Sequence, residues 1–297
     1  MKKLFIGALL LSTLSLSAQT ITIEKSYRLD NHLKGFHPTF NTDGSLLAFT
    51  SDVYEGLEVY NFSDKSVVKI SDEKGAGFQP VFNEDGKVFY KYTTYQNRLR
   101  YDGLKSYDLT KKTNKEVLEP QRNLKQMQRY GNGVMAVSEK KLLKASYGKT
   151  EETTPPYVWS DGSKLNIYRN GKAEILNPLE NASGYIWASL SPNGTMILFN
   201  AVAVGSFVCD LNGNILASLG YLNAPAWYGD DFVVGMQDKD DGHIITESKI
   251  LIKSIDGKLT KQLSEEGQIA MYPGASAIAK KVAYATTDGD IYIVELK

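Results

Sequence analysis

Of the 297 residues only one is cysteine and three are histidine, and each scarcity closes a class of explanation. Cys209 has no partner, so no intramolecular disulfide framework exists. Residues 206–211 around it read as a strand, where a lone cysteine serves as a small buried apolar residue. His32, His37 and His243 lie far apart in sequence, with no His-x-His, His-Glu-x-x-His or paired-cysteine spacing. Neither a metal nor a cofactor is therefore expected. The acidic run at residues 238–243 lacks the alternating oxygen ligands of a calcium loop and reads as a solvated hairpin tip. No Gly-x-Ser-x-Gly elbow is present. Charge of one sign is missing too. Lys and Arg number 34, as do Asp and Glu, so no broad field recruits nucleic acid. Apolar periodicity of 3.6 is absent; residues 123–130 come nearest and lack an apolar stripe.

Long apolar runs are confined to the N-terminus. Lys2 and Lys3 precede an apolar run at residues 4–16, and small residues follow at 15–18. That pattern is a cleavable secretory signal over residues 1–18, too short to span a bilayer. The mature chain, residues 19–297, is expected to be one exported domain, periplasmic or secreted, with no transmembrane segment.

What is abundant is repetition. Phe-His-Pro-Thr-Phe-Asn-Thr-Asp-Gly at residues 36–44 returns as Phe-Gln-Pro-Val-Phe-Asn-Glu-Asp-Gly at 78–86, and fainter echoes start near Trp187 and Ala224. Self-similarity at a period in the forties indicates a repeat architecture. Between the copies lie runs of four to seven apolar residues punctuated by Asp-Gly and Asn-Gly pairs, the grammar of strands and tight turns. Each unit unpacks as a four-stranded meander. The third is degenerate, with residues 126–133 standing for the motif and an insertion over 142–163. The sixth stops at residue 294 and lacks a fourth strand, while residues 20–24 form a spare one. Pairing the two closes a ring and removes two exposed edges. The expected fold is an all-β, six-bladed β-propeller of four-stranded blades, the last closed by the N-terminal strand.

The motif resembles the WD-like repeats of TolB-type six-bladed β-propellers. Pro38, Phe40, Asp43, Gly44, Ala48 and Phe49 carry the likeness in the first repeat, and Pro80, Phe82, Asp85, Gly86 and Tyr90 in the second. The Ser-Pro-Asn-Gly of residues 191–194 is similar to the family's usual turn. The resemblance implies a binding scaffold of the cell envelope.

In a propeller the residue before each motif proline points towards the ring axis. Aligning the units places His37, Gln79, Gln126, Trp187, Asn223 and Tyr272 at a common rim, aromatic-rich and nearly uncharged. Such a surface suits a peptide, a protein loop or a glycan. The 18 tyrosines supply a second candidate surface. Tyr95, Arg98, Tyr101, Tyr157 and Trp159 fall in presumed inserted loops, alongside Tyr147, and these residue types are enriched at interface hot spots. Two functions follow. One is a non-enzymatic scaffold that binds a protein or peptide, or a glycan, and no nucleic acid. The other is a lyase- or cyclase-type enzyme at the channel mouth, which would need His37, His243 and a carboxylate to converge there.

Overall fold

A computed structural model of the chain describes residues 20–139, 141–145 and 154–297. The predicted signal segment, residues 1–18, and Tyr147 lie outside them. No described residue is helical. Residues 123–130 are a loop leading into a strand.

Among the described residues, twenty-six strands form seven sheets. After β1 (Ile23–Arg28), blade 1 comprises β2 (Phe36–Phe40), β3 (Leu46–Thr50), β4 (Glu55–Asn61) and β5 (Val67–Lys74). Blade 2 comprises β6 (Val81–Phe82), β7 (Lys87–Gln96), β8 (Leu99–Asp108) and β9 (Thr113–Gln121). Blades 3 and 4 have three strands each: β10 (Gln128–Tyr130), β11 (Gly133–Ser138) and β12 (Lys141–Ala145), then β13 (Tyr157–Ser160), β14 (Leu165–Arg169) and β15 (Lys172–Leu176). Blade 5 comprises β16 (Tyr185–Leu190), β17 (Met196–Ala201), β18 (Gly205–Asp210) and β19 (Ile215–Gly220). Blade 6 comprises β20 (Asn223–Tyr228), β21 (Phe232–Asp240), β22 (Ile245–Ser254) and β23 (Thr260–Gln262). Blade 7 comprises β24 (Ala270–Ser276), β25 (Lys281–Thr286) and β26 (Ile291–Leu296), with β1 as its outer strand.

The molecule is thus a seven-bladed propeller, and the expectation of six is overturned. The stretch at 142–163, read as one insertion, supplies the outer strand of blade 3 and the innermost strand of blade 4. Blade 3 lacks the proline and the Asp-Gly pair, and the copy that blade 4 carries, Pro156 with Asp161-Gly162, falls inside the stretch that reads as an insertion, so two short blades passed for one long one.

The core confirms the count independently. Buried apolar residues fall into seven clusters, each shared by two neighbouring blades. Tyr130, Met135 and Val137 of blade 3, for example, pack on Tyr157 and Trp159 of blade 4. Stability therefore resides in a ring of inter-blade layers, as expected when each sheet buries both faces. The second strand of each blade is nearly all apolar for that reason: four of the five residues of β3 and five of the six in β17 are buried.

Closure falls to β1, which lies a few residues beyond the 20–24 expected of it. It runs antiparallel to β26 from Ile23↔Leu296 to Arg28↔Tyr292. Thr22 and Lys297 exchange backbone hydrogen bonds of 3.0 and 2.8 Å, and Tyr27 Oη donates to Glu295 at 3.0 Å. The Asp-Gly turns behave as their chemistry requires. At Gly44, φ is 70°, and the Asp43 carboxylate accepts from the Ser45 N–H at 2.9 Å.

Candidate functional site

The innermost strand of each regular blade carries the same irregularity. The register slips between Phe36 and Thr39, Ile186 and Ser189, Asn223 and Ala226, and Met271 and Gly274. Inside each slip one side-chain-bearing residue is left-handed: His37 (φ 54°), Trp187 (54°), Ala224 (43°) and Tyr272 (54°), with Gln79 (51°) at the same place in blade 2. Such a bulge re-aims a side chain at a cost of about 1–3 kcal/mol for a non-glycine residue, tolerable only where flanking ladders enforce it. Here it turns these side chains into the central channel, a space of about 570 Å³ that Gln126 also lines.

Of the six residues aligned to the rim, His37, Gln79, Trp187 and Tyr272 line this channel. Gln126 is at the channel but occupied. Its side-chain amide donates to the carbonyls of Val158 (3.2 Å) and Ala188 (2.6 Å), while its backbone carbonyl accepts from Tyr157 Oη at 2.5 Å. One glutamine thereby ties blades 3, 4 and 5 together. Asn223 misses by one position, because Ala224 takes the left-handed place. The Asn223 amide turns instead to Asp238 (2.9 Å) and Tyr221 Oη (3.1 Å).

From the channel an aromatic ladder leads outward. The Tyr272 and His37 rings are 4.0 Å apart, His37 and Tyr54 stack at 4.1 Å, and Tyr54 meets Phe78 edge-on at 5.2 Å. The Lys91 ammonium then lies 5.1 Å above Phe78. Burial pushes the His37 imidazole down to about 4, and its remaining contact is the Asp52 carbonyl at 3.5 Å. At neutral pH it is an uncharged stacking group. Burial also raises Tyr54 and Tyr272, leaving both phenols protonated. His243 does not join His37: its N–H caps the Asp241 carboxylate in the tip of the β21–β22 hairpin. Asp240 and Asp241 both bind backbone N–H groups of their own turn. Cys209 is fully buried, its thiol pushed up to about 12 by desolvation.

The predicted loop residues divide. Tyr95 is 63% exposed on the β7–β8 hairpin, Arg98 forms its turn, and the Arg122 guanidinium covers Tyr101 at 5.5 Å. Tyr157 and Trp159 are not loop residues at all. They belong to β13 and are buried against blade 3, with ring centroids 5.5 Å apart. The miscounted blade is the cause.

Sequence reasoning missed a groove of about 930 Å³ beside the β7–β8 hairpin. It opens on the same face as the channel mouth, the end carrying the hairpins between middle strands and the loops from blade to blade. Lys74, Lys91, Arg98, Arg100, Arg122 and Lys125 line it against only Glu55 and Asp102. Lys91 is 3% exposed. By register it occupies the place of Thr50, Asn200, Met236 and Ala285 in other blades, all neutral. A repeat alignment carries that signal: one charge in a column of uncharged buried residues.

Comparison with known proteins agrees on architecture. No family model matches the sequence, and neither does any curated protein. Among solved structures, the β-propeller domain of Cps50 (Swd1) from Myceliophteria thermophila superposes with a TM-score of 0.61 at 12% identity, covering 94% of this chain and all of that one. A chain from the crystal structure of a mitotic checkpoint complex gives 0.58 at 9% identity, covering 97% and 100%. The chain has the WD40-type β-propeller fold.

Proposed function

We propose that the protein is an exported scaffold that engages a protein or peptide partner through its channel-mouth face. One observation carries this: the molecule's unusual features converge there. The five left-handed residues, the aromatic ladder and the cationic groove are contiguous. Among the described residues, seven of the twelve exposed large apolar side chains also lie on this face, including Val53, Tyr95 and Leu99 at the groove margin. Apolar surface interleaved with a few oriented polar groups suits recognition. The likeness to a chain of a multi-protein complex supports the same reading, and the Pro-x-Phe-Asn-x-Asp-Gly motif supports a TolB-like kinship of the individual repeats. Export is supported by residues 1–18, so the exported form should begin at Gln19 when its N-terminus is sequenced.

The test compares faces. Tyr54→Ala and Tyr272→Ala alter the channel mouth, whereas Ile278→Ser alters an exposed residue at the opposite end. With cross-linking to envelope extract, the first two should lose the partner and the third should keep it. Loss with Ile278→Ser alone would place the interface elsewhere.

A further inference from the structure

A buried ammonium normally faces a carboxylate, because desolvation is offset only by a close opposite charge or several hydrogen bonds. Lys91 has neither within contact distance. Of its three N–H donors, one reaches the Leu124 carbonyl at 3.2 Å, and the Phe78 ring takes one side. Asp102 is nearby but engaged elsewhere, accepting from Thr93 Oγ1 at 2.7 Å and Arg100 Nε at 3.0 Å. Among the described residues no carboxylate lies within ion-pair distance of Lys74, Arg98, Arg122 or Lys125, whose only carboxylate neighbours along the groove are Glu55 and Asp102. The groove is therefore cationic, with a charge at its floor that Asp102, shared with Thr93 and Arg100, offsets only in part.

Its shape adds a second constraint. The ladder on the inner side of β7 ends at Phe89, because β6 is two residues long, so from Tyr90 to Gln96 β7 pairs with β8 alone. Lys91, Thr93 and Tyr95 alternate along that stretch and line the groove, while Val53 and Leu99 border it. An open strand edge accepts an extended chain, and alternate pockets select its side chains. A carbohydrate polyanion would match the charge but leave the apolar margin unused.

We propose that this groove binds an extended acidic peptide segment of a partner protein, a carboxylate reaching Lys91 and interleaved apolar side chains meeting Val53, Tyr95 and Leu99. The inference rests on the channel-mouth face being the interaction face, and narrows it to one groove and one chemistry. Burial holds the Lys91 ammonium down at about 8, which supports the assignment, since an arriving carboxylate would stabilise its charged form. The groups facing it are Asp102 and Arg100 from β8 and Lys125 from the loop after β9.

The test is fluorescence anisotropy with a labelled peptide of alternating Asp and Phe, and the same peptide with Asn for Asp. The acidic peptide should bind about tenfold or more tightly than its neutral twin, and weaken steeply with salt. Lys91→Met should lower its affinity about tenfold, and Arg98→Asn, which tolerates the left-handed turn at the exposed tip, by a few fold. If Lys91→Met disturbs folding, Arg98→Asn still decides the matter. Equal binding of the two peptides, or no effect of either substitution, overturns the proposal. Oligogalacturonate displacing the acidic peptide at lower concentration would make the groove a glycan site. Self-association blocked by Arg98→Asn would make a second copy the occupant. If cross-linking shows the channel-mouth face to be essential while both lysine and arginine variants bind normally, only the groove assignment fails.

Discussion

Two hairpins rise from the same face of this propeller, and they have been put to opposite uses. In blade 2, β7 and β8 are ten residues each, joined by a two-residue turn in which Asn97 and Arg98 are both left-handed. In blade 6, β21 and β22 have nine and ten residues, and the turn is closed by Asp240 and Asp241 binding their own backbone. The blade 6 hairpin is self-satisfied. Met236 lies in the apolar layer against Val234 and Ile250, Lys239 pairs with Glu247 at 2.7 Å, and the adjoining groove is about 420 Å³. The blade 2 hairpin, built on the same frame, stands beside a groove with five cations unpaired or partly paired and puts a sixth, Lys91, in the interior. A repeat fold lets one unit be specialised while its twin preserves the plain version.

Opening the ring on which both hairpins stand should have the largest effect. Removing residues 20–28 deletes the outer strand of blade 7, exposes an edge and uncovers Tyr292 and Leu296. The expected result is loss of cooperative unfolding by circular dichroism and loss of amide protection at both hairpins together. Protection surviving in blade 2 alone would show that the hairpin is stable without closure.

Next is Met236→Lys, which transplants the blade 2 charge into blade 6. Met236 does not line the adjoining groove and sits in the apolar layer, so a loss of about 3–5 kcal/mol is expected in denaturant melts at pH 7, partly recovered at alkaline pH as the lysine loses its proton. The converse substitution, Lys91→Met, should stabilise the fold by about 1–3 kcal/mol at pH 7, less what the lost Leu124 hydrogen bond and Phe78 contact contributed. The sign follows from linkage. Burial puts the folded value at about 8, below the ordinary 10.5, so the unfolded chain binds the extra proton between those values. The penalty is fully present below pH 8 and fades towards pH 10.5. Wild type should therefore gain on the variant across that window. A variant less stable than wild type at pH 7 would mean that Lys91 is structural.

Smaller effects distinguish the supporting groups. Thr93→Val removes one donor to the Asp102 carboxylate and should cost about 1 kcal/mol. Lys239→Gln breaks only the exposed pair with Glu247, 72% and 69% accessible, and should leave the denaturant midpoint unchanged.

These differences bear on what could be read from sequence. Where the motif repeats closely, as in blades 1 and 2, local chemistry sets the strands, and the repeat alignment brings His37, Gln79, Trp187 and Tyr272 to positions that line the channel. Blades 3 and 4 escaped because blade 3 lacks the motif and the copy in blade 4, Pro156 with Asp161-Gly162, lies within the stretch that reads as an insertion; Tyr157 and Trp159 there are strand residues packed on Tyr130, Met135 and Val137. Asn223 and Ala224 exchanged roles because a bulge places one residue, and composition does not say which. Lys91 has no local signature, because nothing in the residues beside it marks a cation as buried. Its environment comes from Leu124 and Phe78, more than ten residues away on either side.

The pairing of β1 with β26 has a kinetic side. Tyr27 and Glu295 meet across 268 residues, so the ring cannot close until nearly the whole chain is at hand. The entropy of gathering such distant ends grows only logarithmically with separation, but the search it implies is slow. Until it ends, β26 presents an unpaired edge and residues 23–28 remain an unclaimed sticky strand. A chain in that state is the one most exposed to aggregation or to capture by a helper protein. The strand that secures the finished ring is thus also the timer of its maturation.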